Sequence, residues 1–171
     1  MFSMSSQEDI RSAGTIGFIG GILALIPYID FVGLIMVLIA LYKLSHDYGN
    51  EGIWRNAIYA VVFSIIGVAI ATFTLVGSLS LLSSISYSTI GAVTSIIVFF
   101  IVFYIFMVIS GYFWRNAYAE LGRSSGMNEF NNASRWYWLG ALLTIILVGA
   151  ILTLIADIYA IIGYHKLSQV K

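Results

Sequence analysis

An all-α, polytopic transmembrane helical bundle is the fold this sequence predicts, on three observations. The apolar blocks are longer than a soluble core needs, the charges are too few to coat a soluble surface, and every Lys and Arg falls on one side of a six-span arrangement. Charged residues make up 9% of the 171 residues, hydrophobic residues 60%, and the mean hydropathy is +0.97; an ordinary soluble domain carries roughly 25% charged residues. In lipid the backbone must satisfy its own hydrogen bonds, which leaves helices or closed barrels. Strand-like alternation is absent, so the spans are expected to be helices.

Charged or turn-rich breaks at 45–56, 83–90 and 115–135 separate four apolar blocks at about 13–44, 57–82, 91–114 and 136–167. The stretch before the first block carries Glu8, Asp9 and Arg11 in place of a basic leader, and no small-residue cleavage pattern follows the block, so a retained first span is expected. Each outer block has about 32 residues. As a single helix it would run ~48 Å, well beyond a hydrocarbon core of ~30 Å. In the first block, Ile26-Pro27-Tyr28-Ile29-Asp30 supplies the break. Proline disrupts a helix interior, and Asp30 is placed to cap a new helix from Phe31.

The last block has no proline, but an ungapped offset of 123 sets Gly17 on Gly140, Ile22 on Ile145, Ile35 on Ile158, and Lys43-Leu44-Ser45 on Lys166-Leu167-Ser168. A repeat of the first hairpin in the last is therefore predicted, turning near Gly149 to Thr153. Trp54-Arg55-Asn56-Ala57 is echoed by Trp114-Arg115-Asn116-Ala117, and more loosely by Phe130-Asn131-Asn132-Ala133. The chain thus reads as one membrane domain, 1–171, built from hairpins 13–45, 54–118 and 136–168.

Lys and Arg in short loops favour the cytoplasmic side. With six spans and both termini inside, all eight of these residues lie inside; with four spans they divide three to five. The expected location is the cell membrane with cytoplasmic termini. Trp54, Trp114, Trp136 and Trp138 fall at the inner boundary, where amphipathic rings settle at headgroup depth, and are read as interfacial anchors. In the loops, Gly49 is suited to end the second span and Asn50 to cap the third. The uncharged stretch 83–90 reads as a serine-rich turn.

The segments Ile26-Pro27-Tyr28-Ile29, Gly33 through Ser45, and Ile53-Trp54-Arg55-Asn56-Ala57 resemble the first half of the domain-of-unknown-function 996 membrane family. Phe130 with Ala133, and then Leu139 through Gly149, resemble its second half. The resemblance covers about residues 12–168. It implies a prokaryotic, largely archaeal, multi-pass membrane protein, and it brings no activity, substrate or catalytic residue.

Among single residues, Asp157 is the sharpest candidate for chemistry. In a span over about 151–167 it lies ~9 Å past the outer turn and ~13 Å from Lys166, and an acid at that depth is by default a functional hypothesis. No span interior offers Lys, Arg or His as a partner. The acid is then expected to be protonated, hydrogen-bonded to a hydroxyl or amide, or wetted, with Thr72, Thr74 or Tyr104 as neighbours; the competing reading is a helix cap or a plain interhelical bond. Asp30 reads as a cap, and His46, Asp47 and Glu51 as a solvated loop without metal-ligand spacing. Ala13, Gly17 and Gly21 recur every fourth residue, as do Gly67 and Ala71, giving faces for close helix packing within the chain or for homodimerisation.

Zero net charge without basic runs argues against nucleic acid, and the absence of cysteine excludes disulfides and thiolate sites. There is no zinc helix of the His-Glu-x-x-His kind, no phosphate-binding Gly-Lys loop, and no Ser/His or paired-Asp constellation. No cofactor and no enzymatic activity are expected. The partner expected is the lipid bilayer, with a homo-oligomer or another membrane protein as further candidates. The leading functional expectation is a non-enzymatic scaffold or interaction protein; the alternative is a small protein that translocates an ion or solute with an intramembrane acid.

Overall fold

The computed structural model describes residues 4–82, 89–146 and 148–170, and every regular element among them is helical. In chain order these are α1 (Met4–Ala24), α2 (Asp30–Asp47), α3 (Glu51–Leu82), α4 (Thr89–Ser125), α5 (Asn128–Leu143), a single 3-10 turn at Thr144–Ile146, and α6 (Val148–Leu167). Each helix packs on the next in sequence and α6 returns to α1, so the bundle closes into a ring of three hairpins. The seam between α2 and α3 is the least extensive.

Three of the helices are long and apolar enough to cross a membrane: α3 over Glu51–Gly77, α4 over Val93–Ser125, and α6. The others fall short for specific reasons. α5 has 16 residues, α2 carries Asp30, Lys43 and Asp47 in its 18, and α1 has Glu8, Asp9 and Arg11 near its start.

The turn between α1 and α2 falls at Pro27, as proline chemistry requires. Leu25 and Ile26 donate to the carbonyls of Ile22 and Leu23, tightening the end of α1, and Tyr28 takes a left-handed φ of 75°. Asp30 does not cap α2. The helix starts at Asp30 itself, Ile29 occupies the cap position without a side-chain bond, and the Ile29 carbonyl receives the amides of Val32 and Gly33. The Asp30 carboxylate sits instead in the first turn, where the helix dipole favours a negative charge.

Two expected loops contract sharply. α3 starts at Glu51 and α4 runs to Ser125, so Trp54-Arg55-Asn56 and Trp114-Arg115-Asn116 are helical, and the 115–135 break reduces to Gly126 and Met127. Charged residues are good helix formers, so polarity alone does not end a helix. Glycines with positive φ do: Gly49 at 61° and Gly126 at 71° close α2 and α4. Asn50 opens α3, its Oδ1 accepting from the Gly52 amide at 3.0 Å. The expected serine-rich turn at 83–90 falls largely on 83–88, outside the described residues.

The last hairpin turns earlier than the repeat implied, at Thr144–Ile146 in place of Gly149 to Thr153. Each outer hairpin brings glycine onto backbone near its turn. A Cβ on Gly33 would lie 2.6 Å from the Gly20 carbonyl oxygen, and one on Gly149 would meet the Gly140 carbonyl. These pairs are not equivalent under the 123-residue offset, so two different glycine pairs set the two crossings and the turns fall at different depths.

Small residues also join the outer hairpins. Ala13 is fully buried, Gly14 abuts the backbone at Leu167 and Ser168 at the end of α6, and on α6 itself the Tyr164 ring covers Gly17 and Ile161 meets Gly21. Gly67 receives Phe106 of α4, and Ala71 is buried one turn further on. The core is densest towards the end of the ring that holds Gly49 and Gly126, around Leu41, Leu44, Ile53, Leu121, Phe130 and Leu167. Arg11, Lys43, Arg55, Arg115, Arg123, Arg135 and Lys166 belong to this same end, since the helices alternate in direction.

Candidate functional site

Because the last turn comes early, Asp157 lies nine residues from Val148 and nine from Lys166, in the middle of α6. At 1.5 Å per residue that is ~13–14 Å from either end. Asp157, Ala160 and Tyr164 share a helix face at spacings of three and seven, and this face turns towards the ring's centre. Trp114 and Tyr118 of α4 and Tyr137 of α5 come to the same place. There, a cavity of about 280 Å³ is lined by residues from all six helices, from Gly21 of α1 and Val37 of α2 through Ser64 of α3 to Asp157 of α6. Among the described residues, Asp157 is the one carboxylate on the cavity lining, and Lys, Arg and His are absent from it.

Tyr137 donates a hydrogen bond to Asp157 Oδ1 across the α5–α6 hairpin. The rings of Tyr118 and Tyr137 are stacked at 5.1 Å, and Trp114 lies parallel to both at 5.8 and 6.0 Å. Tyr164 stands edge-on to Phe130 at 5.2 Å, and its buried hydroxyl lies against that of Tyr118. Other hydroxyls on the lining are engaged with backbone: Ser110 donates to the Ala60 carbonyl at 2.8 Å and Ser64 to that of Val61 at 2.8 Å.

The residues expected beside Asp157 lie elsewhere. Thr72 and Thr74 donate to the carbonyls four residues back on α3, and Tyr104 donates to the Leu142 carbonyl at 2.9 Å. The acid's partner is Tyr137, which stands between Trp136 and Trp138 and reads in sequence as part of an aromatic belt. The signal that could have singled it out is helical spacing: Phe130, Ala133, Tyr137 and Ala141 form one stripe on α5.

The four tryptophans do not act alike. Trp114 is turned into the bundle, stacked on tyrosines and lining the cavity, so it is not a rim anchor. Trp54 packs edge-on against Tyr42 at 5.1 Å, and Trp138 lies under the Arg115 guanidinium at 5.5 Å. Trp136 is half-buried.

At the basic end, polar groups tie neighbouring helices together. Asn50 donates to Glu120 of α4 at 3.2 Å and to Ser124 at 3.0 Å, Glu120 being held in turn by Arg123 of the same helix at 2.9 Å, and Lys166 of α6 pairs with Glu129 of α5. The hydrogen bond from Lys166 holds the Glu129 carboxyl below its ordinary range. Asp47, at the last residue of α2, is pushed the other way by burial and by the Asp9 carboxylate; its Oδ2 is closed off without a partner although the residue as a whole is half-buried. No group of three or more metal-ligating side chains occurs among the described residues.

A family model described as a protein of unknown function (DUF996) matches residues 29–158, which include α2, the central hairpin of α3 and α4, and Asp157. The uncharacterized protein MJ1644 of Methanocaldococcus jannaschii is 32% identical over 167 residues, covering 94% of both chains. No solved structure matches.

Proposed function

The chain belongs to the DUF996 family of proteins of unknown function, and from that premise we propose a six-span protein of the cell membrane that translocates a small solute or proton by way of Asp157. The observation that carries this reading is the cavity in the middle of the ring, lined by all six helices and holding a single carboxylate. Ionisable groups at such depth are costly and mark ion or solute paths in membrane proteins. A scaffold, the leading expectation from sequence, needs neither a cavity nor an acid at its centre. The proposal invokes no catalysis.

Length and direction support a six-span reading. α5 with its 3-10 turn covers residues 128–146, a rise of ~30 Å, and α1 and α2 rise ~32 and ~27 Å, each close to the hydrocarbon thickness. Each is the antiparallel partner of a neighbour in the ring. The basic residues gathered at one end support a reading with both termini in the cytoplasm. Alternating access requires the ring to part, and the α2–α3 seam, the least extensive in the ring, is the candidate place.

The test is proton or cation movement into liposomes that hold the purified protein and a pH-sensitive dye, under an imposed gradient. Wild-type protein is expected to dissipate the gradient faster than empty liposomes, and Asp157→Asn to lose that increment while keeping its helical content. An increment that survives Asp157→Asn unchanged overturns the reading.

A further inference from the structure

We propose that the cavity at Asp157 binds a small monovalent organic cation, an ammonium carrying an apolar or single-ring substituent. This rests on the translocation reading above and names the class of solute that the site takes.

Asp157 is a carboxylate in a cavity without Lys, Arg or His, and its one hydrogen-bond donor, Tyr137, is a neutral phenol. A hydrogen bond from a neutral group eases the desolvation of a carboxylate but does not balance its charge. A bound cation or a proton does. A hard metal ion is a poor fit, because such ions take six or more oxygen ligands, whereas the lining is mainly apolar and aromatic, with Trp114, Tyr118, Ala141, Ala160 and Ile161, and its Ser64, Ser110, Thr144 and Thr153 hydroxyls are bonded to backbone carbonyls. Aromatic rings and alkyl walls suit an alkylated ammonium, which combines a positive charge with an apolar surface and is attracted to ring faces.

Size narrows the class. A cavity of about 150 Å³ holds one benzene, and this cavity measures about 280 Å³. A single ring with a trimethylammonium head fits; a guest with several fused rings does not.

Binding has a definite pH dependence. A proton and the cation compete for the same carboxylate, so affinity falls as pH is lowered. The titratable groups facing Asp157 are Tyr118 on α4, Tyr137 on α5 and Tyr164 on α6; the lining from α1, α2 and α3 contributes none. Exchange of cation for proton at one carboxylate is the coupling an antiporter needs.

The experiment compares phenyltrimethylammonium with tert-butylbenzene, a neutral guest of the same shape, by calorimetric titration of the full-length protein in detergent. The cation is expected to bind at least about tenfold more tightly, the order expected for one desolvated charge contact, and to weaken on acidification. Asp157→Asn should erase the preference while leaving the neutral guest bound, and Asp157→Glu should retain it, which separates loss of charge from loss of fold. Equal binding of the two guests by wild-type protein, binding of neither, or a preference that persists in Asp157→Asn overturns the proposal. The translocation reading fails separately: if gradient dissipation in liposomes depends on Asp157 but the cation does not bind, the solute class is wrong and the reading stands.

Discussion

The Tyr137 hydroxyl donates to the Asp157 carboxylate from the neighbouring helix of the same hairpin, so the one acid in the middle of the bundle is held by a phenol and not by a base. Tyr137→Phe removes that donor and leaves a desolvated carboxylate without it. A loss of about 1–3 kcal/mol is expected, the usual cost of orphaning a buried polar group. Thermal unfolding in detergent measures it, and the loss should be much smaller when Asp157→Leu is already present. Equal losses in the two backgrounds would mean that Tyr137 acts by packing alone.

Glycine packing predicts opposite outcomes at two positions. A Cβ on Gly33 meets the Ala24 backbone and the Gly20 carbonyl, neither of which can turn aside, whereas Gly77 has nothing within 4 Å. Gly33→Ala is expected to cost about 1–3 kcal/mol through overpacking. Gly77→Ala is expected to be neutral, or stabilising by about 0.5–1 kcal/mol through helix propensity. Unfolding midpoints that fall alike would refute this account of the first hairpin.

Asp47 predicts a dependence on pH. Its carboxyl titrates above the ordinary 3.8 in the folded chain, first because burial penalises its charge and second because Asp9 repels it. The folded state therefore holds this proton more tightly than the unfolded state does. Asp47 costs stability above its folded pKa, and the cost is relieved as pH falls towards 3.8. Asp47→Asn should raise the unfolding temperature at pH 7, with the gain shrinking on acidification. A variant less stable than wild type at pH 7 would contradict this.

How much of this was legible in the sequence can be judged residue by residue. Pro27 gave the first turn because proline acts locally, and Gly49 and Asn50 gave the α2–α3 junction for the same reason. The turn at Thr144–Ile146 has no such punctuation, and the repeat misplaced it because different glycine pairs set the two crossings. The charged stretch 115–135 suggested a long loop where α4 and α5 continue, since the edge of a bilayer is no barrier to a helix. Asp157 stood out as a charge in an apolar run, but Tyr137, Tyr118 and Tyr164 are an ordinary aromatic complement until packing brings them to one cavity. Their meeting is a property of the ring's closure, which no single helix encodes.

Topology is open to direct assay, because the chain has no cysteine of its own. Single cysteines at Gly49 and Ser125 are expected to resist an impermeant maleimide in intact cells, while one at Tyr28, which is 94% exposed at the opposite end, reacts. The reverse pattern would invert the arrangement.

The central claim is that Asp157 faces a cavity that water and solutes reach. Thr153→Cys, one helical turn from Asp157 on the same lining, tests it most directly. The account predicts that a small charged methanethiosulfonate modifies this cysteine fully in the folded, membrane-embedded protein, and that phenyltrimethylammonium slows the reaction. A cysteine that stays unmodified until the protein is denatured would contradict it.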